Sequence, residues 1–175
     1  MWIILKRFGA SASNWQSDHK ENLNLVVRRM DYIRQAKIED LERIAEIFVF
    51  NYRLNFYPIF KDDTFYFEEL RVSNFVTSFK NELDSFWVYD DGVVKGFIQI
   101  EKQEVRKLFV EPVLQGKAIG AELLEYGISK KDVNTLWALE KNVRAIAFYK
   151  RHGFNITDEK KYEEDTTEFL VRMER

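Results

Sequence analysis

Val105-Arg106-Lys107-Leu108-Phe109-Val110-Glu111-Pro112-Val113-Leu114-Gln115-Gly116-Lys117-Ala118-Ile119-Gly120 reads as a β-strand, a short turn, and a glycine-bearing loop that opens directly into an amphipathic helix. Such a junction is built to hold an anion. The backbone N–H groups from Gly116 through Gly120 have no acceptor inside the first helical turn, which carries partial positive charge. A diphosphate is the natural occupant. The loop is not a Walker A loop, because Ala118 stands where Ser or Thr would hold Mg²⁺ and the four-residue spacer between glycines is missing. Nor does it have GxGxxG spacing.

With Gln115, Ala118 and Gly120 in register, the loop resembles the acyl-CoA loop of the GNAT acetyltransferase superfamily, whose pattern after the fourth strand is Q/R, x, x, G, x, G/A. Ala118 replaces the central glycine of that pattern. A second segment, Leu136-Trp137-Ala138-Leu139-Glu140-Lys141-Asn142-Val143-Arg144-Ala145-Ile146-Ala147-Phe148-Tyr149-Lys150-Arg151-His152-Gly153-Phe154, resembles the strand, Asn-capped helix and Phe-Tyr-x-x-x-Gly-Phe ending of the same family. The two segments lie in the family's order and spacing. The resemblance covers residues 85–175 and extends plausibly back to Met30.

Working outward from these segments, periodicity lays out the remaining elements. Leu41, Ile44, Ala45 and Phe48 fall at i, i+3, i+4 and i+7, one apolar face of a helix over 39–52. An aromatic stretch from Phe50 to Phe67 is broken by Pro58 and by Lys61-Asp62-Asp63, and a second helical segment runs to about Lys80. Strands are expected over 86–89, 93–100 and 104–110, with Asp90-Asp91-Gly92 as a hairpin turn. Ile119, Leu123 and Tyr126 mark the buried stripe of the helix after the loop. A strand over 135–140, a helix over 142–152 ended by a left-handed Gly153, and strands over 154–157 and 166–173 complete the chain. The fold class is therefore α/β (an α+β mixed sheet). Its order, β1-α1-α2-β2-β3-β4-α3-β5-α4-β6-β7, is that of the acyl-CoA N-acyltransferase fold.

Residues 1–29 differ in composition, with five Lys/Arg against two Asp/Glu and a polar stretch from Ser11 to His19. They are expected to precede a domain over 30–175, and Met30 is a candidate original start; the competing reading adds residues 23–27 to the fold as an edge strand. At 175 residues, 46% hydrophobic and 15% aromatic, the chain supports one domain with a real core. A formal charge of −2 and the lack of an arginine-rich run argue against bulk nucleic-acid binding. Without cysteine there is no disulfide, thiol nucleophile or thiolate metal site, and the two histidines make no zinc motif, so no metal is expected. No apolar run approaches the roughly 18 residues of a membrane span, and Lys6 and Arg7 interrupt the apolar start. No membrane association is expected, and a cytoplasmic protein is the simplest reading.

The resemblance implies an N-acetyltransferase in which a primary amine of a small molecule, peptide or protein attacks acetyl-CoA directly. It assigns cofactor contacts to Leu108, Phe109 and Val110 for the pantetheine arm, to Gln115, Gly116, Lys117, Ala118, Ile119, Gly120 and Ala121 for the diphosphate, and to Asn142 and Tyr149. Tyr149 is the implied general acid for the departing thiolate; the alternative makes it a core aromatic beside Phe148. Asn142 also suits a helix N-cap. Glu104, eleven positions before Gln115, is the implied general base, with Glu101, Glu140 or water alone as alternatives. Lys117 pairs with phosphate or is simply solvated, and His152 suits a helix C-terminus. Read as a helical position, Ala118→Gly is expected to lower helix propensity by up to about 1 kcal/mol. Two other function classes remain open: a CoA-binding module of the same fold without catalysis, and a structural protein whose loop binds nothing. The acceptor and the oligomeric state are not legible, although homodimers are common in the family.

Overall fold

The computed structural model describes residues 31–175, so the expected extension over 1–29 and the alternative edge strand over 23–27 lie outside the described residues. Seven strands form one sheet: β1 (Ile33–Gln35), β2 (Phe86–Asp90), β3 (Val94–Glu101), β4 (Glu104–Val110), β5 (Thr135–Leu139), β6 (Asn155–Tyr162) and β7 (Phe169–Glu174). Their spatial order is β1-β2-β3-β4-β5-β7-β6. Every neighbouring pair is antiparallel except β4 and β5. The helices α1 (Leu41–Asn55), α2 (Val72–Lys80), α3 (Ile119–Lys131) and α4 (Val143–Arg151) intervene in the order expected.

Both faces of the central strands are buried, because alternate side chains enter two separate cores. Phe86, Val88 and Phe97 pack with Ile44, Ile47 and Phe48 of α1 and Phe79 of α2. On the opposite face, Trp87, Tyr89, Ile98 and Ile100 meet Leu123 and Leu124 of α3, with Leu136, Phe154 and Met173 completing that layer. Helix α1 runs one turn beyond its expected end. Phe48 stacks on Tyr52 at 4.2 Å between centroids and Tyr52 on Phe56 at 4.8 Å, so the aromatic stripe carries on at intervals of four. After it come a single helical turn, Tyr57–Phe60, and a π-helical turn, Thr64–Glu69, that buries Tyr66. The Arg53 guanidinium secures this segment by donating to the carbonyls of Tyr66 and Leu70, both at 3.0 Å.

Arg34 fastens the first strand to the start of α1 and to the neighbouring β2, forking onto both oxygens of Asp40 at 2.7 and 2.9 Å and onto Asp90 at 2.7 Å. The glycine turns behave as expected: Gly92 has φ +116° and Gly153 φ +89°. Strand β6 is longer than the sequence suggested. Its extension carries Asp158, Glu159, Lys160 and Lys161 around an irregularity in the pairing with β7, and it lies at the sheet's edge, where charges are tolerated and discourage further pairing. The last strand begins later than expected, at Phe169, since Thr166 closes a tight turn on the Glu163 carbonyl.

Candidate active site

Strands β4 and β5 run parallel, and their pairing is confined to Glu104 with Thr135 and Val105 with Leu136. Past that point they part. On its other side β4 stays paired with β3 up to Val110. The Glu111 amide donates to the Lys95 carbonyl at 2.8 Å, so by ladder alternation Lys107, Phe109 and Glu111 direct their backbone groups to β3, and Leu108 and Val110 direct theirs into the gap. The Val110 carbonyl is already taken, accepting from Asn51 Nδ2 at 3.0 Å. Of the expected strand contacts, Leu108 and the Val110 amide offer backbone hydrogen bonds. Phe109 does not: its backbone belongs to β3, and its ring joins Phe48, Tyr52 and Phe56.

The gap opens into two adjoining cavities of about 440 and 430 Å³, which share Phe56, Leu108, Phe109, Asn142, Ala145 and Tyr149 as lining. The second is walled by Gln115, Gly116 and Ala118 through Ala121. Among the described residues, the amides of Gly116, Ala118, Ile119, Gly120 and Ala121 make no backbone hydrogen bond. That leaves five donors at the start of α3. Lys117 departs from the expected set, because its amide closes a turn on the Leu114 carbonyl at 3.3 Å and its exposed side chain lines neither cavity. Gly116 and Ala118 both take left-handed backbone, with φ +82° and +68°. Ala118 is therefore the N-cap of α3, not a helical residue.

Asn51 anchors this loop. Buried to 1% exposure, it donates to the Ile47 and Val110 carbonyls and accepts from Gln115 Nε2 at 3.0 Å. Gln115 thus fixes the loop to α1, so its own amide group serves position before any ligand contact. Arg144 and Arg151 on α4 line the same cavity as the free amides. They supply the cationic charge that Lys117 does not. Their i, i+7 spacing was the signal in the sequence, since it puts them on one stripe with Phe148.

Asn142 caps α4 by accepting from the Ala145 amide at 3.1 Å. Asn142, Ala145 and Tyr149 form one stripe along the helix, and all three line both cavities. The Tyr149 ring packs against Phe148 and Phe154, and its hydroxyl has no hydrogen-bond partner among the described residues. Burial pushes its pKa above the ordinary phenol range. A phenol so placed is a proton donor at neutral pH, facing the gap. His152 sits at the end of α4 as expected, where its Nδ1 meets Glu125 at 2.9 Å.

The first cavity is lined by Tyr52, Phe56 and Phe60 of the aromatic stretch. Glu104 stands at its closed end, where β4 and β5 are still paired, and its carboxylate is held by Arg106 at 2.6 Å. Of the two alternatives, Glu101 pairs with Arg106 and Glu140 with Lys160, and neither lines a cavity. Two further ionisable groups in this cavity were not anticipated. Burial lowers the pKa of Lys107, whose Nζ donates to Gln99 at 2.7 Å. Burial raises that of Glu163, with Lys161 opposing the shift. No local pattern marks either residue, since a lysine within a strand and an acidic turn both read as solvated. Among the described residues no cluster of His, Cys, Asp or Glu could hold a metal ion, and no helix is long and apolar enough to cross a membrane.

Residues 82–156 match the family model of the acetyltransferase (GNAT) domain. The chain is 31% identical over 70 residues to the peptidyl-lysine N-acetyltransferase YjaB of Salmonella typhimurium, covering 40% of this chain and 48% of that protein. It is 30% identical over 135 residues to the uncharacterized N-acetyltransferase of Archaeoglobus fulgidus, covering 67% of this chain and 88% of the relative. The alignment thus spans about half the length of the first relative and most of the second. Among solved structures, the PaiA N-acetyltransferase of Thermoplasma acidophilum, in complex with coenzyme A, superposes with a TM-score of 0.58 at 24% identity over 82% of this chain and 98% of that one.

Proposed function

The chain belongs to the GNAT N-acetyltransferase family, and on that premise we propose that it transfers an acetyl group from acetyl-CoA to a primary amine, by direct attack within the cleft between β4 and β5. The observation that carries this reading is the parting of the two strands, which leaves Leu108 backbone groups and the Val110 amide facing a cavity that Tyr149 also lines. The pantetheine amides of acetyl-CoA are suited to take the hydrogen bonds that β5 would otherwise make. Its diphosphate suits the five free amides at the start of α3, reinforced by the helix dipole and by Arg144 and Arg151.

Positioning contributes most to such a reaction, since holding amine and thioester in line replaces a bimolecular encounter. Tyr149 is assigned the second task, giving a proton to the departing thiolate. The acceptor enters from the side of Tyr52, Phe56 and Phe60. A lysine side chain of a peptide or protein is the favoured acceptor, supported by the likeness to the peptidyl-lysine N-acetyltransferase of Salmonella. Consumption of acetyl-CoA makes the cytoplasm the proposed location.

The test follows CoA release from acetyl-CoA across lysine peptides, free amino acids and polyamines, alongside thermal unfolding with and without CoA. Turnover with any amine supports the reading. CoA-dependent stabilisation with no acetylation of any amine would identify a CoA-binding module of the same fold. Neither effect at millimolar CoA would leave the loop a structural feature.

A further inference from the structure

The hairpin between β6 and β7 brings Glu163, with Glu164 beside it, to the acceptor-side cavity, which is also lined by Tyr52 of α1 and by Phe56 and Phe60 beyond its end. Its backbone is fixed. The Glu163 amide donates to the Glu168 carbonyl at 2.8 Å, and the Glu163 carbonyl accepts from the Thr166 amide and hydroxyl at 3.1 and 3.0 Å. Glu163 is half-buried and lines the cavity, while Asp165 beyond it is exposed. Burial raises the proton affinity of the Tyr52 hydroxyl, and the negative charge of Glu163 adds to that effect.

Among the described residues this carboxylate has no hydrogen bond and no ion pair, although lysines lie on and around the hairpin. Each has another partner: Lys160 meets Glu140, Lys141 meets Glu168, and the Lys161 ammonium lies over the Trp137 ring at 4.4 Å. Glu104 lines the same cavity but differs from Glu163 in being paired with Arg106 and placed where the strands are still closed. A half-buried carboxylate without a direct ion-pair or hydrogen-bond partner, set among aromatic rings and only partly offset by the Lys161 charge, is a receptor for a cation. The group that a primary-amine acceptor brings at neutral pH is an ammonium.

Resting on the acetyl-transfer reading above, we propose that Glu163 binds the acceptor's ammonium and takes its first proton, which makes the cavity selective for cationic primary amines. The ammonium gives one proton to the Glu163 carboxylate, and the freed nitrogen lone pair attacks the thioester carbon. As the C–N bond forms and the C–S bond breaks, the second N–H proton is lost. It replaces the one that the Tyr149 hydroxyl delivers to sulfur. The products are the amide and the CoA thiol, and Glu163 returns its proton to water.

The experiment compares two acceptors with the full chain: a lysine peptide, protonated at neutral pH, and trifluoroethylamine, which is neutral there and needs no base before attack. Glu163→Gln should lower kcat/KM for the lysine peptide roughly a hundredfold and leave trifluoroethylamine within about threefold, in line with the worth of a general base. Glu163→Asp keeps the charge and should keep the preference for the lysine peptide. The rise in melting temperature given by acetyl-CoA should be the same in wild type and both variants. Equal losses for the two acceptors, or no loss for either, overturn the role of Glu163. Failure of the wild type to acetylate either amine, with its acetyl-CoA stabilisation intact, overturns the acetyl-transfer reading itself and the proposal with it.

Discussion

Replacing Ala118 with glycine should stabilise the protein, the reverse of what helix propensity predicts. Ala118 holds φ +68° and ψ −9° at the N-cap of α3, outside the helical residues, with its methyl group exposed and its side chain capping nothing. Left-handed backbone costs an L-residue roughly 1–2 kcal/mol. Glycine escapes that strain but loses about 0.5–1 kcal/mol through its greater freedom in the unfolded chain. The difference is a net gain of about 0.5–1 kcal/mol, and glycine is also much preferred to alanine at an N-cap. For a domain of this size the melting temperature should rise by about 1–4 °C. Differential scanning calorimetry of the two proteins measures it directly. Titration with acetyl-CoA should show affinity kept or modestly tightened, because the methyl group no longer limits approach to the Ala118 amide. A melting temperature lowered by more than about 2 °C would refute the reasoning, showing that the loop is not held in the left-handed conformation that the strain argument requires.

Tyr149→Phe keeps the ring against Phe148 and Phe154 but removes the donor, so turnover should fall roughly ten- to a thousandfold with little change in KM for acetyl-CoA. Since burial raises the phenol's pKa, the wild-type group stays protonated as pH rises, and it should cause no alkaline loss of rate below about pH 10. Full turnover in the phenylalanine variant, measured where chemistry limits the rate, would assign the tyrosine to packing. Asn51→Ala strips a partner from the Val110 carbonyl and from the Gln115 amide at once. It should destabilise the fold by about 2–3 kcal/mol and weaken acetyl-CoA binding, which thermal melts with and without ligand would separate; an unchanged melt would remove Asn51 as the loop's anchor.

The order of elements and the location of the cleft were legible because they rest on local signals. The apolar stripe of α1, the turn at Gly92, the loop after Gln115, and the run from the cap at Asn142 to Gly153 each depend on residues a few positions apart. The expected free amides and the stripe of Asn142, Ala145 and Tyr149 follow from helix geometry, and the structure places them on the same cavities. Where the local reading failed, the path of the loop decided. The Lys117 amide is used up in a turn onto Leu114, three residues back, and Ala118 takes left-handed backbone in a loop that the Asn51–Gln115 hydrogen bond, between residues 64 positions apart, ties to α1.

The ionisable groups of the first cavity show the same division more sharply. A glutamate in an acidic turn and a glutamate at a strand start are equivalent on the page. Their difference arises because β7 inserts between β5 and β6, which brings the Glu163 hairpin to the cavity over the opened strands, while Glu104 remains beside Arg106 where those strands are closed. Sequence alone determined which elements form and where unpaired backbone donors gather at the start of a helix, since backbone donors and helix caps depend on near neighbours. Which carboxylate is partly desolvated and left without a direct ion pair was decided by the tertiary structure, because desolvation and charge pairing depend on what other parts of the chain bring to the same place.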